Sequence, residues 1–189
     1  MDVNEDGGFP NEYTNLSEPY YVPSVQGGIL WADTVNKIFY LYGGEDTDTP
    51  STPDPAKLWA FDVLYQQWNE TASDTSEISR ASFGAGVTVN DTALGYYYGG
   101  WLNDNSVPDW SGARQAVSNL LVFDMIDHTW HNKSGPPVQF SRTGGVMLYV
   151  PVSNRGMLVH FGGIQLPYGY GNGNWKGVSH RRRYVFVNW

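Results

Sequence analysis

The stretch Ile38-Phe-Tyr-Leu-Tyr-Gly43-Gly44 decides the fold, because this apolar strand ending in two glycines recurs twice along the chain. The second copy reads Leu94-Gly-Tyr-Tyr-Tyr-Gly99-Gly100, and the third reads Met157-Leu-Val-His-Phe-Gly162-Gly163. A strand rich in small residues precedes each copy, beginning at Gly27, Gly84 and Gly144. Self-similarity of this kind is typical of repeat architectures, in which each unit buries its apolar face against its neighbours.

The first two copies are followed by a further pair of matching segments. Leu58-Trp-Ala-Phe-Asp62 follows the first copy and Leu120-Leu-Val-Phe-Asp124 follows the second, and Trp68 and Trp130 each come six residues after the Asp. Both the Asp and the Trp landmarks lie 62 residues apart. A period near 50 to 60 residues with four short strands is typical of a propeller blade, so the pattern predicts blades.

Each landmark has a physical role in such a blade. The glycine pair suits a position near the propeller axis, where neighbouring blades crowd the backbone. The Trp on an outer strand is expected to spread over the seam between blades, contributing about 2–3 kcal/mol by burial. The Asp can accept backbone N–H bonds in the tight turn that follows it, 63–66 in the first unit and 125–128 in the second.

This pattern resembles the kelch repeat over roughly residues 24–175, and its wording is similar to secreted or membrane-anchored kelch-repeat proteins of filamentous fungi. The resemblance implies an all-β fold: a partial kelch-type β-propeller with two complete four-stranded blades and an incomplete third. The landmarks that carry the motif are Gly43, Gly44, Asp62, Trp68, Gly99, Gly100, Asp124, Trp130, Gly162 and Gly163.

The chain divides accordingly into a linker or end of a preceding blade (1–23), two blades (24–83 and 84–142), an incomplete blade (143–175) and a tail (176–189). Two accounts of the tail compete. Tyr184-Val-Phe-Val187 lies at the spacing of a divergent third strand, whereas the run Arg181-Arg-Arg183 in an otherwise acidic chain favours a mis-joined tail outside the repeat. The second account is the preferred expectation.

Composition supports an all-β chain and narrows the partners. Of the 189 residues, 15% are aromatic and 22 are Gly, which suits short strands joined by tight turns. The net charge of −8 disfavours nucleic acid and anionic membrane as partners. There is no Cys, which excludes disulfides and thiol-based metal sites, and no apolar run is long enough for a transmembrane segment.

Four N-x-Ser/Thr sequons favour secretion and predict glycosylation at exposed positions. Because the acidic N-terminus does not read as a secretory signal, the true N-terminus is expected upstream. The full-length protein is therefore expected to be extracellular or at the cell surface, with a cytoplasmic location as the alternative. The sequon residues are Asn15, Asn69, Asn90 and Asn132.

No catalytic, cofactor-binding or metal-binding residue is predicted. The four histidines (His128, His131, His160 and His180) do not converge in spacing and are expected to be ordinary surface and strand residues. The acidic stretch Glu45-Asp-Thr-Asp48 with Asp54 has oxygen ligands that suit calcium but lacks an ordered loop spacing, so a solvated insertion is the better interpretation. No helix follows the loop Gly169–Gly173, so it is not a phosphate-binding motif.

What remains is a binding role. Long aromatic loops on one propeller face predict a non-catalytic scaffold that contacts a protein or a carbohydrate, unless each ring packs on its own blade. The candidate rings are Trp101, Trp110, Tyr168, Tyr170 and Trp175. The alternative is a fragment of a propeller enzyme of the galactose oxidase type. The resemblance would then require a Tyr–Cys cross-link and two His copper ligands in blades beyond this chain, which has no Cys. A third alternative is a defective fragment without a function of its own.

Overall fold

The computed structural model describes residues 22–47, 52–135, 140–152, 156–167 and 185–188. Apart from one 3-10 turn at Asn90–Thr92, every regular element in these ranges is a β-strand. Within them no helix has the length and hydropathy to cross a bilayer. The strands are β1 (Val25–Asp33), β2 (Ile38–Asp46), β3 (Trp59–Asp62), β4 (Gln67–Glu70), β5 (Ala85–Val89), β6 (Leu94–Tyr98), β7 (Trp101–Leu102), β8 (Gln115–Ala116), β9 (Leu120–Asp124), β10 (Thr129–Lys133), β11 (Phe140–Thr143), β12 (Val146–Val150), β13 (Met157–Phe161), β14 (Ile164–Pro167) and β15 (Val185–Asn188).

The first blade is a four-stranded antiparallel meander in the order β1-β2-β3-β4. Its second strand carries the sequence that decides the fold and continues through the two glycines to Asp46. Asp62, at the end of β3, pairs with Ile38 at the start of β2. This register places the Asp beside the hairpin turn that it closes.

The second blade repeats this arrangement as β5-β6-β9-β10, with Asp124 pairing with Leu94. The connection between β6 and β9 is longer than its counterpart in the first blade and contains the two-stranded ribbon β7–β8. With four strands in each of two sheets, the chain has two complete blades of a partial propeller.

The third blade contains β12, β13 and β15, together with the ribbon β11–β14. In β15, Asn188 pairs with Met157 at the start of β13, so Asn188 occupies the position that Asp62 and Asp124 hold in the other blades. A strand at this place is what the divergent-strand account of the tail predicts.

The turn after each landmark Asp is closed by its carboxylate. Asp62 Oδ1 accepts hydrogen bonds from the N–H groups of Leu64 (2.8 Å) and Tyr65 (3.0 Å). Asp124 Oδ1 accepts equivalent bonds from Ile126 and Asp127, at 2.8 and 3.1 Å. The side chain thus satisfies turn donors that have no strand partner.

The seam between the first two blades is an aromatic stack. The ring of Trp31, fully buried on β1, stacks on Tyr42 at 5.6 Å and on Phe123 of the second blade at 5.9 Å. Trp130 on the outer strand β10 closes this stack, with its ring 5.2 Å from Tyr42 and 4.8 Å from Phe123. The landmark Trp of the second blade therefore packs on the first blade, as expected of a residue that covers a seam.

Candidate interaction site

The site begins where the glycine pairs bring neighbouring blades into backbone contact. The N–H of Gly44 donates to the carbonyl of Ala81 (3.0 Å), and the N–H of Gly100 donates to the carbonyl of Arg142 (2.8 Å). Both first glycines have positive φ, +74° at Gly43 and at Gly99, and a Cβ there would run into the carbonyl of Ala81 or of Arg142, each in the segment that leads into the next blade. Only glycine satisfies both conditions.

A buried carboxylate anchors the first blade to the second at this end of the seam. Glu45 directly follows the glycine pair, and its Oε1 accepts hydrogen bonds from Trp101 Nε1, from Asn103 Nδ2 (2.6 Å) and from Ser82 Oγ (3.2 Å). Arg114 lies 3.9 Å from the same oxygen. The expectation of a solvated acidic insertion is therefore wrong for Glu45, because these donors, with Trp101 and Asn103 coming from the second blade, replace water around it.

Trp101 is enclosed by the same arrangement. Its ring stacks on Phe83 at 4.6 Å on one side, and the guanidinium of Arg114 lies 4.2 Å from its centroid on the other. Only 9% of Trp101 is exposed. The prediction that Trp101 is an exposed contact residue is wrong, because its N–H is needed by Glu45 and its faces are covered.

The β7–β8 loop (residues 103–114) projects from this anchor. Asn103 organises its start: the carbonyl accepts N–H bonds from Ser106 (3.1 Å) and Val107 (3.0 Å), while Asn103 N–H donates to Ser106 Oγ. The first blade holds the loop as well, because Asp46 N–H donates to the carbonyl of Asn105 (2.9 Å). The base of the loop is thus tied to both blades.

The outer part of the loop faces solvent. Asp104, Asp109 and all residues from Ser111 to Arg114 are exposed. Trp110 is half-buried, and its ring packs against the core of the seam between the first two blades. Its Nε1 is buried without a hydrogen-bond partner among the described residues. Of the predicted contact rings, Tyr168, Tyr170 and Trp175 lie outside the described residues.

A comparison with known proteins agrees with the repeated pattern of glycine pair, Asp and Trp. A protein of Arthroderma benhamiae described as a kelch repeat-containing protein is 31% identical to this chain over 127 residues, which is 60% of this chain. The repeats of this chain are similar to kelch repeats. The chain spans only 18% of that relative's length. No family model matches the sequence.

The fold of the kelch blades agrees with a solved structure. The structure of YjhT, a kelch-type propeller, superposes with a TM-score of 0.53 at 16% sequence identity. The superposition covers 77% of this chain and 35% of that chain. At this identity the likeness concerns the fold alone, and this chain spans about a third of that propeller.

The buried tyrosines of the kelch strands remain protonated donors and acceptors. Burial, with a smaller effect of the negative charge of Asp33, raises the pKa of Tyr40 to about 12. Burial likewise raises the pKa of Tyr42 well above its usual value, and that of Tyr97. Over the described ranges no group of three or more His, Asp or Glu side chains is arranged to hold a metal ion.

Three sequon residues are exposed in the described parts of the kelch blades. Asn69 and Asn132 lie on the outer strands β4 and β10, and Asn90 lies in the 3-10 turn between β5 and β6. Asn15 lies outside the described residues. An outer strand and a turn both leave room for a glycan, so the three positions are accessible to modification.

A groove runs along the outer edge of the first kelch blade and is a second candidate surface. This groove of about 540 Å³ is lined by Trp59, Trp68 and Lys57 with neighbouring acidic residues. The ammonium of Lys57 lies 3.7 Å from Asp54 and 3.5 Å from Glu70, and 5.8 Å from the ring centroid of Trp59. The β7–β8 loop remains the stronger candidate, because buried hydrogen bonds fix its base.

Proposed function

We propose that this chain is part of a non-catalytic kelch scaffold that binds a protein or carbohydrate ligand through the β7–β8 loop. The observation that carries the proposal is the buried Glu45 carboxylate, which accepts hydrogen bonds from Trp101 and Asn103 across a blade seam. A loop held in one conformation loses little entropy on binding, so such an anchor favours recognition. Loops on a rigid scaffold are also the common location of binding residues.

The exposed sequons support an extracellular or cell-surface location. Asn69, Asn90 and Asn132 are accessible, and a secreted kelch protein would present the loop outside the cell. Expression in a eukaryotic secretory host, followed by peptide mass spectrometry, tests this part. Glycans at these three Asn residues are expected, and unmodified Asn at all three would contradict a secreted protein.

The binding role is tested by changing the outer loop without touching its anchor. The double variant Ser111→Arg/Ala113→Arg adds bulk and charge at two exposed positions, and Tyr65→Arg is the matched control in an exposed hairpin turn of the first blade. A glycan array and chemical cross-linking to secreted proteins provide the two readouts. Binding that the loop variant loses and the control keeps is expected.

Two results would contradict this function. Ligand binding that survives the loop variant would place the contact elsewhere, for example in the groove beside Trp59. Hydrogen peroxide production from galactose by the copper-loaded protein would favour an oxidase instead.

A further inference from the structure

Residues 79–82 lead from the first blade into the second and contact the end of β2 along their whole length. Each of the four bonds to a different residue of β2, and the pairs are Ser79 with Tyr42, Arg80 with Asp46, Ala81 with Gly44, and Ser82 with Glu45. Only one of these four contacts joins two opposite charges, that of the Arg80 guanidinium with the Asp46 carboxylate. This ion pair is the feature from which the inference starts.

The ion pair is largely removed from water. The side chain of Arg80 is 5% exposed and that of Asp46 is 18% exposed. Taking two charges out of water costs desolvation energy, and replacing such a pair by well-packed uncharged side chains is often neutral for stability. Holding two blades together is therefore a weak reason for this pair, and a more specific role is expected.

The seam between the second and third blades shows that contact between blades does not need the pair. The backbone bond between blades recurs there, from the N–H of Gly100 to the carbonyl of Arg142 at 2.8 Å. Counted from that bond, the residues that stand in place of the ion pair are Ser141 and Leu102. Neither of them is charged. The repeat thus joins two blades with or without charges at these positions.

In the first seam the ion pair adjoins the β7–β8 loop. The N–H of Asp46 donates to the carbonyl of Asn105 at 2.9 Å, while its carboxylate bonds to Arg80. The preceding residue, Glu45, accepts the side-chain N–H of Asn103 at 2.6 Å. Two consecutive residues of β2 therefore hold the first turn of the loop, and Arg80 fixes the position of one of them.

Residues 79–82 also hold the strand from which the loop begins. Ser82 and Trp101 exchange two backbone hydrogen bonds, each of 3.0 Å, and Trp101 is the first residue of β7. Arg80 lies two residues before Ser82 in the same segment. It is therefore connected to the loop by two routes, through the carboxylate of Asp46 and through the backbone that pairs with β7.

We propose that Arg80 is a positioning residue for the β7–β8 loop, and that its ion pair with Asp46 keeps the loop in the conformation that binds the ligand. Loss of either charge releases Asp46, and with it the carbonyl of Asn105. The proposal rests on the binding role proposed for this loop. The coupling between Arg80 and the loop can nevertheless be measured without a ligand, so the two proposals can fail separately.

The first measurement is amide hydrogen exchange by NMR on the whole chain, read at Ser106 and Val107. The N–H groups of both residues donate to the carbonyl of Asn103, so their exchange rates report how often the loop opens. Arg80→Gln removes the charge and should accelerate both rates about tenfold. Arg80→Lys restores a positive charge that can reach the carboxylate, and should return the rates to near the wild-type values.

A second variant separates loop order from stability. The double variant Arg80→Ser/Asp46→Leu places the uncharged residues of the second seam in the first seam. It should keep the urea midpoint of the wild type, because the second seam joins its blades with these residues, and yet accelerate loop exchange as Arg80→Gln does. A residue with a merely structural role would not separate the two readouts.

A matched control tests whether any loss of positive charge has the same effect. Lys57 forms ion pairs with Asp54 (3.7 Å) and Glu70 (3.5 Å), both in the first blade. Lys57→Gln changes the net charge by the same amount as Arg80→Gln. Exchange at Ser106 and Val107 should remain as in the wild type.

Unchanged exchange in Arg80→Gln, or equal acceleration in Arg80→Lys or in Lys57→Gln, would overturn the positioning role. If Arg80→Gln does not fold, Asp46→Asn decides, because it keeps the backbone N–H and the shape of the side chain. Unchanged loop exchange in that variant would also overturn the role. On the glycan array and in cross-linking, Arg80→Gln should weaken binding about tenfold and Arg80→Lys should retain it. A wild-type chain that binds nothing would contradict the proposed function alone, since the exchange rates still decide the role of Arg80.

Discussion

Replacing the first glycine of the second pair tests why the repeated sequence ends as it does. Gly99 has φ +74°, and a Cβ there would run into the carbonyl of Arg142. That carbonyl accepts the N–H of Gly100 at 2.8 Å, which is a direct backbone bond between blades. Gly162 provides a matched control, because it has the same place in the third repeat and a φ of +68°, but its Cβ would meet nothing within 4 Å.

The two substitutions are expected to lower the free energy of unfolding by different amounts, because only one of them creates a clash with a carbonyl. An Ala in the left-handed region costs about 1–2 kcal/mol, and Gly162→Ala should lose only that amount of stability. Gly99→Ala should in addition displace the Arg142 carbonyl and leave a buried N–H unpaired, which costs about 1–3 kcal/mol more. With about 2–4 °C of melting temperature per kcal/mol at this chain length, Gly99→Ala should melt roughly 2–12 °C below Gly162→Ala.

Urea denaturation followed by circular dichroism and tryptophan fluorescence measures both losses on one scale. The expected result is a larger loss for Gly99→Ala with an unchanged denaturant slope. Equal losses in the two variants would refute the reasoning, because they would mean that φ alone explains the glycine and that blade crowding contributes nothing.

Three further perturbations test other parts of the structure. Because the folded pKa of His160 is about 4, below its ordinary 6.5, the unfolded chain takes up this proton first as the pH falls, and native stability declines between pH 6.5 and 4. His160→Phe should remove this decline, improving stability relative to wild type by about 2 kcal/mol more at pH 4.5 than at pH 7 in urea denaturation, and identical pH profiles would contradict it. Trp130→Ala removes the ring that closes the first seam and should cost about 3–5 kcal/mol, also measured in urea; a loss below about 1 kcal/mol would contradict a role in the seam. Glu45→Gln keeps the shape but not the charge of the anchor, so amide hydrogen exchange in the β7–β8 loop should accelerate about tenfold, whereas unchanged exchange would show that Glu45 does not order the loop.

The repeat spacing predicted the blades because it reports local strand pairing. Asp62 and Asp124 were recognisable since each turn needs an acceptor at a fixed place in its hairpin. The third landmark was missed because Asn188 stands where the other two blades have an Asp, and only its cross-strand pairing with Met157 shows that the positions are equivalent.

The candidate site was predicted less well, because its burial depends on distant residues. The acidic stretch after the first glycine pair gave no sign that Glu45 would receive donors from Trp101 and Asn103, which lie 56 and 58 residues later. One signal was present in the sequence. Glu45 and Trp101 both directly follow a glycine pair, so the repeat itself places an acceptor and a donor at equivalent positions of adjacent blades.

That equivalence also explains how kelch blades with one backbone can carry different chemistry. The glycine pair fixes the strand end in each blade, so the side chains around it can change without altering the fold. In the first seam the polar side chains are paired. Glu45 accepts a hydrogen bond from Trp101, and the hydroxyls of Tyr42 and Tyr97 each have a hydrogen-bond partner. In the second seam the Tyr98 hydroxyl is buried without a hydrogen-bond partner among the described residues, whereas Arg142 donates to the carbonyl of Gly162.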